Sequence, residues 1–396
     1  MLQGKNIVLG VSGGIAAYKA AALCSALVKA GASVDVIMTE NAAKFVGPMT
    51  FSTLTGHSVS VDTFARVEKY DVSHIALAQK ADLFAVAPAT ANIIAKMAHG
   101  IADDMLSTTL LASRAPKLVA AAMNTGMLDN PATQANIATL RGWGVEFIDG
   151  SDGRLACGDV GRGRMAEPEE IVDRMERMLT PKDLEGKRVL VTAGPTREAL
   201  DPVRFLSNHS TGKMGYALAR AARNRGAQVT LVSGPVGLQA PADVVLVPVV
   251  SAQEMFEAVR RELSGADIII KAAAVADYAP KAEEPEKMKK TDQDLTLELT
   301  RTRDILSWIG HHRRPGQVVV GFAMETRDLL ENAAQKLAAK NTDLMVANSL
   351  RQEGAGFGVD TNIVTLLTRD GAEELPLMSK FEVANRILDR VLALAE

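Results

Sequence analysis

The chain has 396 residues, 47% of them apolar and 23% charged, a length greater than one hydrophobic core ordinarily serves, so two domains are expected. Its formal net charge of −3 gives no electrostatic reason to expect nucleic acid or an anionic membrane as partner. Two cysteines exclude a disulfide framework and suit a reducing cytoplasm, while no cleavable leader and no run near the roughly twenty apolar residues of a membrane span are read in the sequence.

In the first half, continuous apolar runs predict strands at Ile7–Val11, Val34–Met38, Leu83–Ala87 and Leu118–Ala121. Helical patterns lie between them at Ile15–Lys29, His74–Lys80, Ala91–Ala98 and Pro131–Arg141, followed by a helical tail over Pro168–Leu179. Gly10–Ala16 follows the first strand and opens a helix, which fits either a phosphate cradle or a structural tight turn. It lacks the Gly-x-Gly-x-x-Gly dinucleotide pattern. Pro88-Ala89-Thr90-Ala91-Asn92 offers Thr90 or Asn92 as a helix cap. Ala122-Met123-Asn124 follows the fourth strand, so Gly13, Gly14, Thr90, Asn92 and Asn124 are expected at one edge of the sheet. Cys24 falls in an apolar helical stretch and reads as core. His74, at a helix start, reads as readily as a cap or packing residue as a base. Cys157 lies in a loop with Gly158, Gly161, Gly163, Arg162 and Arg164, and reads either as a mobile acid whose pKa the arginines would lower or as an incidental cysteine of a polar surface loop.

Thr180–Lys187 is polar and contains proline and glycine, which marks a linker at 181–186 between domains at 1–180 and 187–396. The pattern then restarts: Leu2-Gln3-Gly4-Lys5 is echoed by Leu184-Glu185-Gly186-Lys187, and Gly31-Ala32-Ser33-Val34 by Gly226-Ala227-Gln228-Val229. Further strands are expected at Val189–Thr192, Val229–Val232, Val244–Val247, Ile268–Ala272, Val318–Phe322, Leu344–Ala347 and Ile363–Leu367. The alternation predicts an α/β class with two doubly wound, mainly parallel-sheet, Rossmann-like domains, whose ligands sit at the carboxyl ends of the strands. Ser210 or Thr211 is expected to cap a helix starting near Gly212, with Arg204, Asn208 and Lys213 adding donors. Asp277 reads either as a metal-associated carboxylate or as part of a turn. Lys287-Met288-Lys289-Lys290 reads as a cation cluster or a solvated surface run. Lys336 and Lys340 share one face of a helix predicted over Glu331–Lys340.

Gly13-Gly14-Ile15-Ala16-Ala17-Tyr18-Lys19, His74, Pro88–Asn92, Ala102-Asp103-Asp104, Ala122-Met123-Asn124 with Met127, and the Cys157 loop together resemble the flavin-containing cysteine decarboxylases. Ala121 and Leu128 stand where that family usually has proline and tryptophan. The resemblance implies bound FMN, contacted by Gly13, Gly14, Thr39, Thr90 and Asn92. It also implies flavin-dependent oxidation of a substrate thiol, which creates an electron sink for loss of CO2. His74 would serve the thiol oxidation, Asn124 would hold the departing carboxylate, and Cys157 would protonate the product.

Asp201–Gly215, Ala273–Tyr278, Lys287–Lys290, Gly321-Phe322-Ala323 and Phe357–Asn362 resemble the phosphopantothenate–cysteine ligases, with Arg303 replacing a common proline. This resemblance implies CTP as co-substrate and Mg2+, with an acyl-cytidylate attacked by cysteine. Ala272, Ala273, Asp277, Lys289, Asp304, Ile305, Phe322, Lys336 and Lys340 would bind CTP, with Asp277 near the metal. Lys287 would neutralise charge during nucleotidyl transfer, and Asn208 would hold the acyl intermediate. Both likenesses in one chain resemble the bifunctional decarboxylase/ligase family of coenzyme A biosynthesis. That family implies phosphopantothenate, cysteine and CTP as small-molecule substrates, and a homo-oligomer with trimeric flavin halves and dimeric ligase halves, up to a dodecamer. Two other readings are an NAD(P)-dependent reductase and a non-catalytic flavin-binding regulator.

Overall fold

Ile7–Val11, expected as a strand because it is continuously apolar, lies inside Asn6–Val11, one of five strands in a parallel sheet. The spatial order is Ser33–Met38, Asn6–Val11, Leu83–Ala89, Lys117–Ala121 and Glu146–Ile148. The computed structural model describes residues 2–64, 73–150, 152–154, 160–289, 295–325, 329–349, 356 and 358–395. The chain divides into two units, Met1–Thr180 and Pro181–Glu396. In the first, Leu83–Ala89 is buried along its whole length, as a central parallel strand covered on both faces must be. One face packs the helices Ala17–Lys29, Pro48–Thr55 and Pro168–Leu179 through Leu23, Phe51 and Met175. The other packs Ala91–His99, Met105–Ala112 and Pro131–Gly142 through Ile93, Leu106 and Ile137. Cys24 is fully buried, as its apolar setting implied.

The second unit holds an eight-stranded sheet, ordered Val245–Pro248, Gln228–Ser233, Arg188–Ala193, Ile268–Lys271, Val318–Glu325, Leu344–Ser349, Val364–Thr368 and Gly371–Glu374. The first six strands run parallel, and the last two pair antiparallel at one edge. Helices Lys213–Asn224 and Lys380–Ala395 cover one face through Leu218 and Ile387. Ala252–Glu262, Ile305–His312 and Leu329–Ala339 cover the other through Phe256, Ile309 and Leu337.

The sequence repeat has a structural counterpart. Leu2 and Leu184 are both fully buried, and Gly4 and Gly186 are both left-handed, at φ 73° and 77°. Gly4 N–H donates to Gly31 O at 2.9 Å, and Leu184 N–H to Arg225 O at 2.9 Å. In both units the turn before the first strand is thereby stitched to the turn before the second.

The structure differs from expectation in several places. The first helix starts at Ala17, not Ile15, because Gly14–Ala16 form a turn. Neither Ser210 nor Thr211 occupies the expected cap. Gly212 does, at φ 79°, and a Cβ there would stand 2.9 Å from Val236 Cγ1. The close approach and the left-handed backbone select glycine. Among the described residues no helix is long and apolar enough to cross a membrane.

Candidate active sites

The carboxyl end of the first sheet opens into a cavity of about 640 Å³. It is lined by the Gly13–Gly14 turn, Tyr18, Lys19, Thr90, Asn124, Met127 and Gly163–Met165. Gly13 can only be glycine here: a Cβ would lie 2.4 Å from Asn41 Cβ. Thr39 sets that neighbour, since its Oγ1 accepts from Ala42 N at 3.1 Å and caps Glu40–Ala43. Ser12 is buried beneath the turn, its hydroxyl donating to Pro88 O at 2.8 Å and accepting from Thr90 N at 2.9 Å. Thr90 occupies the N-cap of Ala91–His99, yet neither it nor Asn92 caps through its side chain. Thr90 Oγ1 lies instead 3.3 Å from Ser12 Oγ, while Asn92 is exposed in the first turn.

Asn124 caps the short helix Thr125–Leu128, its Oδ1 accepting from Gly126 N at 2.8 Å. The facing loop is clamped twice. Met123 N donates to Gly163 O at 3.0 Å, and Lys19 Nζ donates to Glu167 Oε1 at 2.7 Å. Gly13, Gly14, Thr90 and Asn124 are therefore brought together. His74, half-buried as the second residue of Ser73–Lys80, does not line this cavity, and neither do Thr39 and Asn92. Cys157 lies outside the described residues. Sequence reasoning missed Ser12 as the bridge between two strand ends, although a hydroxyl inside a glycine turn is a visible signal.

In the second unit a pocket of about 500 Å³ is lined by Lys271, Asp277, Tyr278, Arg301, Arg303 and Asp304, with Val275, Thr302 and Ile305. The turn carrying Asp277 is pinned from both sides. Thr196 Oγ1 accepts from Ala276 N at 3.0 Å, and Thr302 Oγ1 donates to Ala276 O at 2.6 Å. Asn208 Nδ2 donates to Ala274 O at 2.9 Å, which ties it to the same segment. Ala273 is buried, and its N–H donates to Thr192 Oγ1 at 3.2 Å. Asp304 caps Ile305–His312 through Ser307 N at 2.9 Å and is bonded by Lys340 Nζ. Burial works against Asp304's charge, but Lys340 and Ser307 outweigh it and hold the carboxyl below its ordinary range. The guanidinium of Arg303 stacks on the Phe256 ring at 4.7 Å, so this departure from the ligase pattern has its own support.

Lys287 and Lys289 are exposed on either side of Met288. Met288 is anchored by its N–H to Asp201 Oδ2 at 3.1 Å and by its carbonyl from Arg204 at 2.8 Å. Lys336 is exposed near the end of its helix, and Phe322 packs on the sheet face opposite Ile305. Asp277, Asp304 and Ile305 therefore line one pocket, joined by Lys340 through Asp304. Ala272, Phe322, Lys287, Lys289 and Lys336 do not line it. Among the described residues no cluster of three or more His, Cys, Asp or Glu side chains forms a metal cage. Lys271 is the residue sequence reasoning missed, although a lysine closing three isoleucines was legible. Burial pushes its ammonium down to about 8, against the pull of Asp304 and Asp277.

The first pocket is largely apolar with a few fixed polar groups, which suits a planar heteroaromatic ligand. The second concentrates cations and two carboxylates, which suits a polyphosphate with a divalent cation.

Residues 1–180 match the Flavoprotein family model, and residues 184–394 match the DNA/pantothenate metabolism flavoprotein C-terminal domain. The chain is similar to the coenzyme A biosynthesis bifunctional protein CoaBC of Bacillus subtilis (strain 168), with 55% identity over 401 residues, covering 100% of this chain and 98% of that one. The CoaBC protein of Mycobacterium tuberculosis (strain CDC 1551 / Oshkosh) is 46% identical over 405 residues, covering 98% and 96%. A crystal structure of the C-terminal domain of a CoaBC protein is 47% identical with TM-score 0.47, covering 54% of this chain and 97% of its own.

Proposed function

The chain belongs to the family of bifunctional proteins of coenzyme A biosynthesis, and on that footing we propose how its two units divide the work. Residues 187–396 join cysteine to phosphopantothenate at the expense of CTP. Residues 1–180 decarboxylate the resulting phosphopantothenoylcysteine to phosphopantetheine with bound FMN. The observation that carries this reading is the pair of chemically opposite pockets, one apolar and one charged, each at the carboxyl end of its own sheet. Neither the reductase nor the regulator reading gains support from the likenesses, which span both halves.

In the second unit the substrate carboxylate bonds to the α-phosphorus of CTP as pyrophosphate leaves. Cysteine's amine then attacks the acyl carbon, gives up a proton and displaces CMP. Lys287 and Lys289, on the strand of chain that Asp201 and Arg204 anchor, neutralise the phosphates. Asn208, held by Ala274, orients the acyl group. Ile305, Asp304 and, through Asp304, Lys340 hold the nucleotide at the pocket, while the roles that the ligase resemblance implies for Ala272, Ala273, Phe322 and Lys336 fall on residues outside its lining. Asp277 would hold Mg2+, which would supply charge to offset the triphosphate, and a pocket with two carboxylates rather than a closed cage fits that role.

In the first unit Gly13, Gly14 and Thr90 hold FMN, Thr39 caps the turn that carries Asn41, and Gly13's tight approach to Asn41 fixes the cradle; the FMN contact that the resemblance gives Asn92 falls on an exposed residue outside the lining. The flavin, when bound, would accept two electrons as the substrate thiol becomes a thioaldehyde, the sink that lets the adjacent carboxyl-bearing carbon lose CO2, and would return them to the enethiol product. Asn124 holds the carboxylate without a positive charge that would favour the ground state. Cys157 delivers the proton to the product. His74 does not line its own copy's cavity, so this reading gives it to a site completed by a neighbouring copy. Ile15, Tyr18 and Met127 at the cavity rim are 59%, 62% and 50% exposed, which fits cover by such a copy. Flavin-unit trimers and ligase-unit dimers, combining toward a dodecamer in the cytoplasm, complete the reading.

Mass spectrometry of products from phosphopantothenate, cysteine, CTP and Mg2+ tests it. Phosphopantetheine with CMP is the expected outcome. Accumulated acyl-cysteine would leave the ligase alone standing, and absence of any CMP-coupled product would overturn the ligase assignment.

A further inference from the structure

Lys271 closes the strand Ile268–Lys271, whose other three residues are buried isoleucines. A methionine or leucine would end such a strand without the cost of desolvating an ammonium. The lysine is instead half-buried against the pocket that holds Asp277, Thr302 and Asp304. Its Nζ donates to Ala273 O at 2.9 Å, and among the described residues that carbonyl is its one hydrogen-bond acceptor. An ammonium carries three donors.

Its countercharges are incomplete. Asp304 and Asp277 attract it while Lys336 and Lys340 repel it. Asp304 is already bonded by Lys340 and by Ser307 N. Arg301 and Arg303 line the same pocket. Among the described residues Lys271, Lys340, Arg301 and Arg303 thus stand around Asp277 and Asp304, and the cation set deepest in the sheet has donors to spare. A negatively charged ligand would balance that set.

We propose that Lys271 binds an anionic phosphate oxygen of the nucleotide, as a phosphate-binding residue additional to those named above. A compact ammonium suits phosphate as a point charge, and the carboxyl end of a parallel strand is where phosphates gather in open α/β sheets. The inference rests on the pocket being the CTP site, and its test separates the two.

CTP and cytidine binding are measured by calorimetry on the full-length wild type, Lys271→Met and Lys271→Arg. Loss of a charge-assisted bond predicts CTP binding weakened about tenfold or more in Lys271→Met, with partial recovery in Lys271→Arg. Cytidine, which lacks phosphates, should bind all three alike, and this also shows that the variant pocket is folded. Wild-type CTP binding that Lys271→Met leaves within about twofold would overturn the role of Lys271 alone. Equal weakening toward cytidine would overturn the phosphate contact. A wild type that binds no CTP would remove the pocket's assignment, and the proposal with it.

Discussion

Gly163 and Met123 are in backbone contact: a Cβ on Gly163 would stand 2.1 Å from the Met123 carbonyl oxygen. Gly163 is also left-handed, at φ 112°. This contact seats the loop against the segment that carries Asn124. Gly163→Ala must therefore displace the loop or Asn124 itself, beyond the roughly 1–2 kcal/mol of a strained backbone. The expected outcome is lost flavin absorbance and decarboxylation lowered about tenfold or more, with CMP release by the second unit unchanged. Gly56→Ala is the control. Gly56 is left-handed at φ 72°, and a Cβ there would meet nothing within 4 Å, so strain alone should leave flavin in place.

Ser12 joins the first strand end to the third through Pro88 O and Thr90 N. Ser12→Ala leaves the Thr90 amide without its buried partner, while Pro88 O keeps the backbone N–H of position 12, at a cost of about 1–3 kcal/mol. Thermal unfolding followed by flavin release should shift downward accordingly. An unchanged transition would mean that Thr90 finds another partner and that Ser12 does not set the cradle.

Much of this was legible beforehand, for definite reasons. Ile7–Val11 and Ile268–Ile270 are uninterrupted apolar runs, which central parallel strands require. Leu2 and Leu184 announced the repeat because both turns bury a leucine ahead of the strand. Glu146–Ile148 was missed because three residues show no period, and the antiparallel pair Tyr278–Pro280 with Leu299–Arg301 for the same reason. Thr90 carries a side chain suited to capping, but a hydroxyl 78 positions away in sequence attracts it. A lysine closing three isoleucines is legible at Lys271, but spacing along one strand says nothing of which carboxylates the fold brings to its end.

Asp201 predicts a pH effect. Burial opposes its charge, but bonds from Arg204, Val203 N, Arg204 N and Met288 N hold its carboxyl well below the ordinary value of 3.8. A depressed folded-state pKa contributes stability above that ordinary value, and the contribution is lost as pH falls further. The second unit should thus lose stability as pH falls below about 4. Asp201→Asn should be less stable at pH 7 and show a shallower acid limb in chemical denaturation. It should also slow CMP release, because Met288 loses its anchor and Lys287 and Lys289 move with it. Parallel acid limbs in the two proteins would sink this account.

Lys340 and Asp304 allow the pocket's charge balance to be taken apart. Lys340 bonds the Asp304 carboxylate that caps Ile305–His312. Lys340→Met removes a cation and leaves a carboxylate facing the incoming triphosphate, so two effects act in one direction on the KM for CTP. Asp304→Asn removes the repulsion yet keeps an oxygen for Ser307 N. If the pair acts as a unit, adding Asp304→Asn to Lys340→Met should recover part of the lost affinity, with a coupling of about 0.5–3 kcal/mol. Strict additivity would mean that Lys340 acts on the nucleotide directly and that its bond to Asp304 is incidental. The KM for cysteine serves as the internal reference. It should stay level in all three variants, because the amine attacks only after pyrophosphate, and the charge that these residues balance, has left.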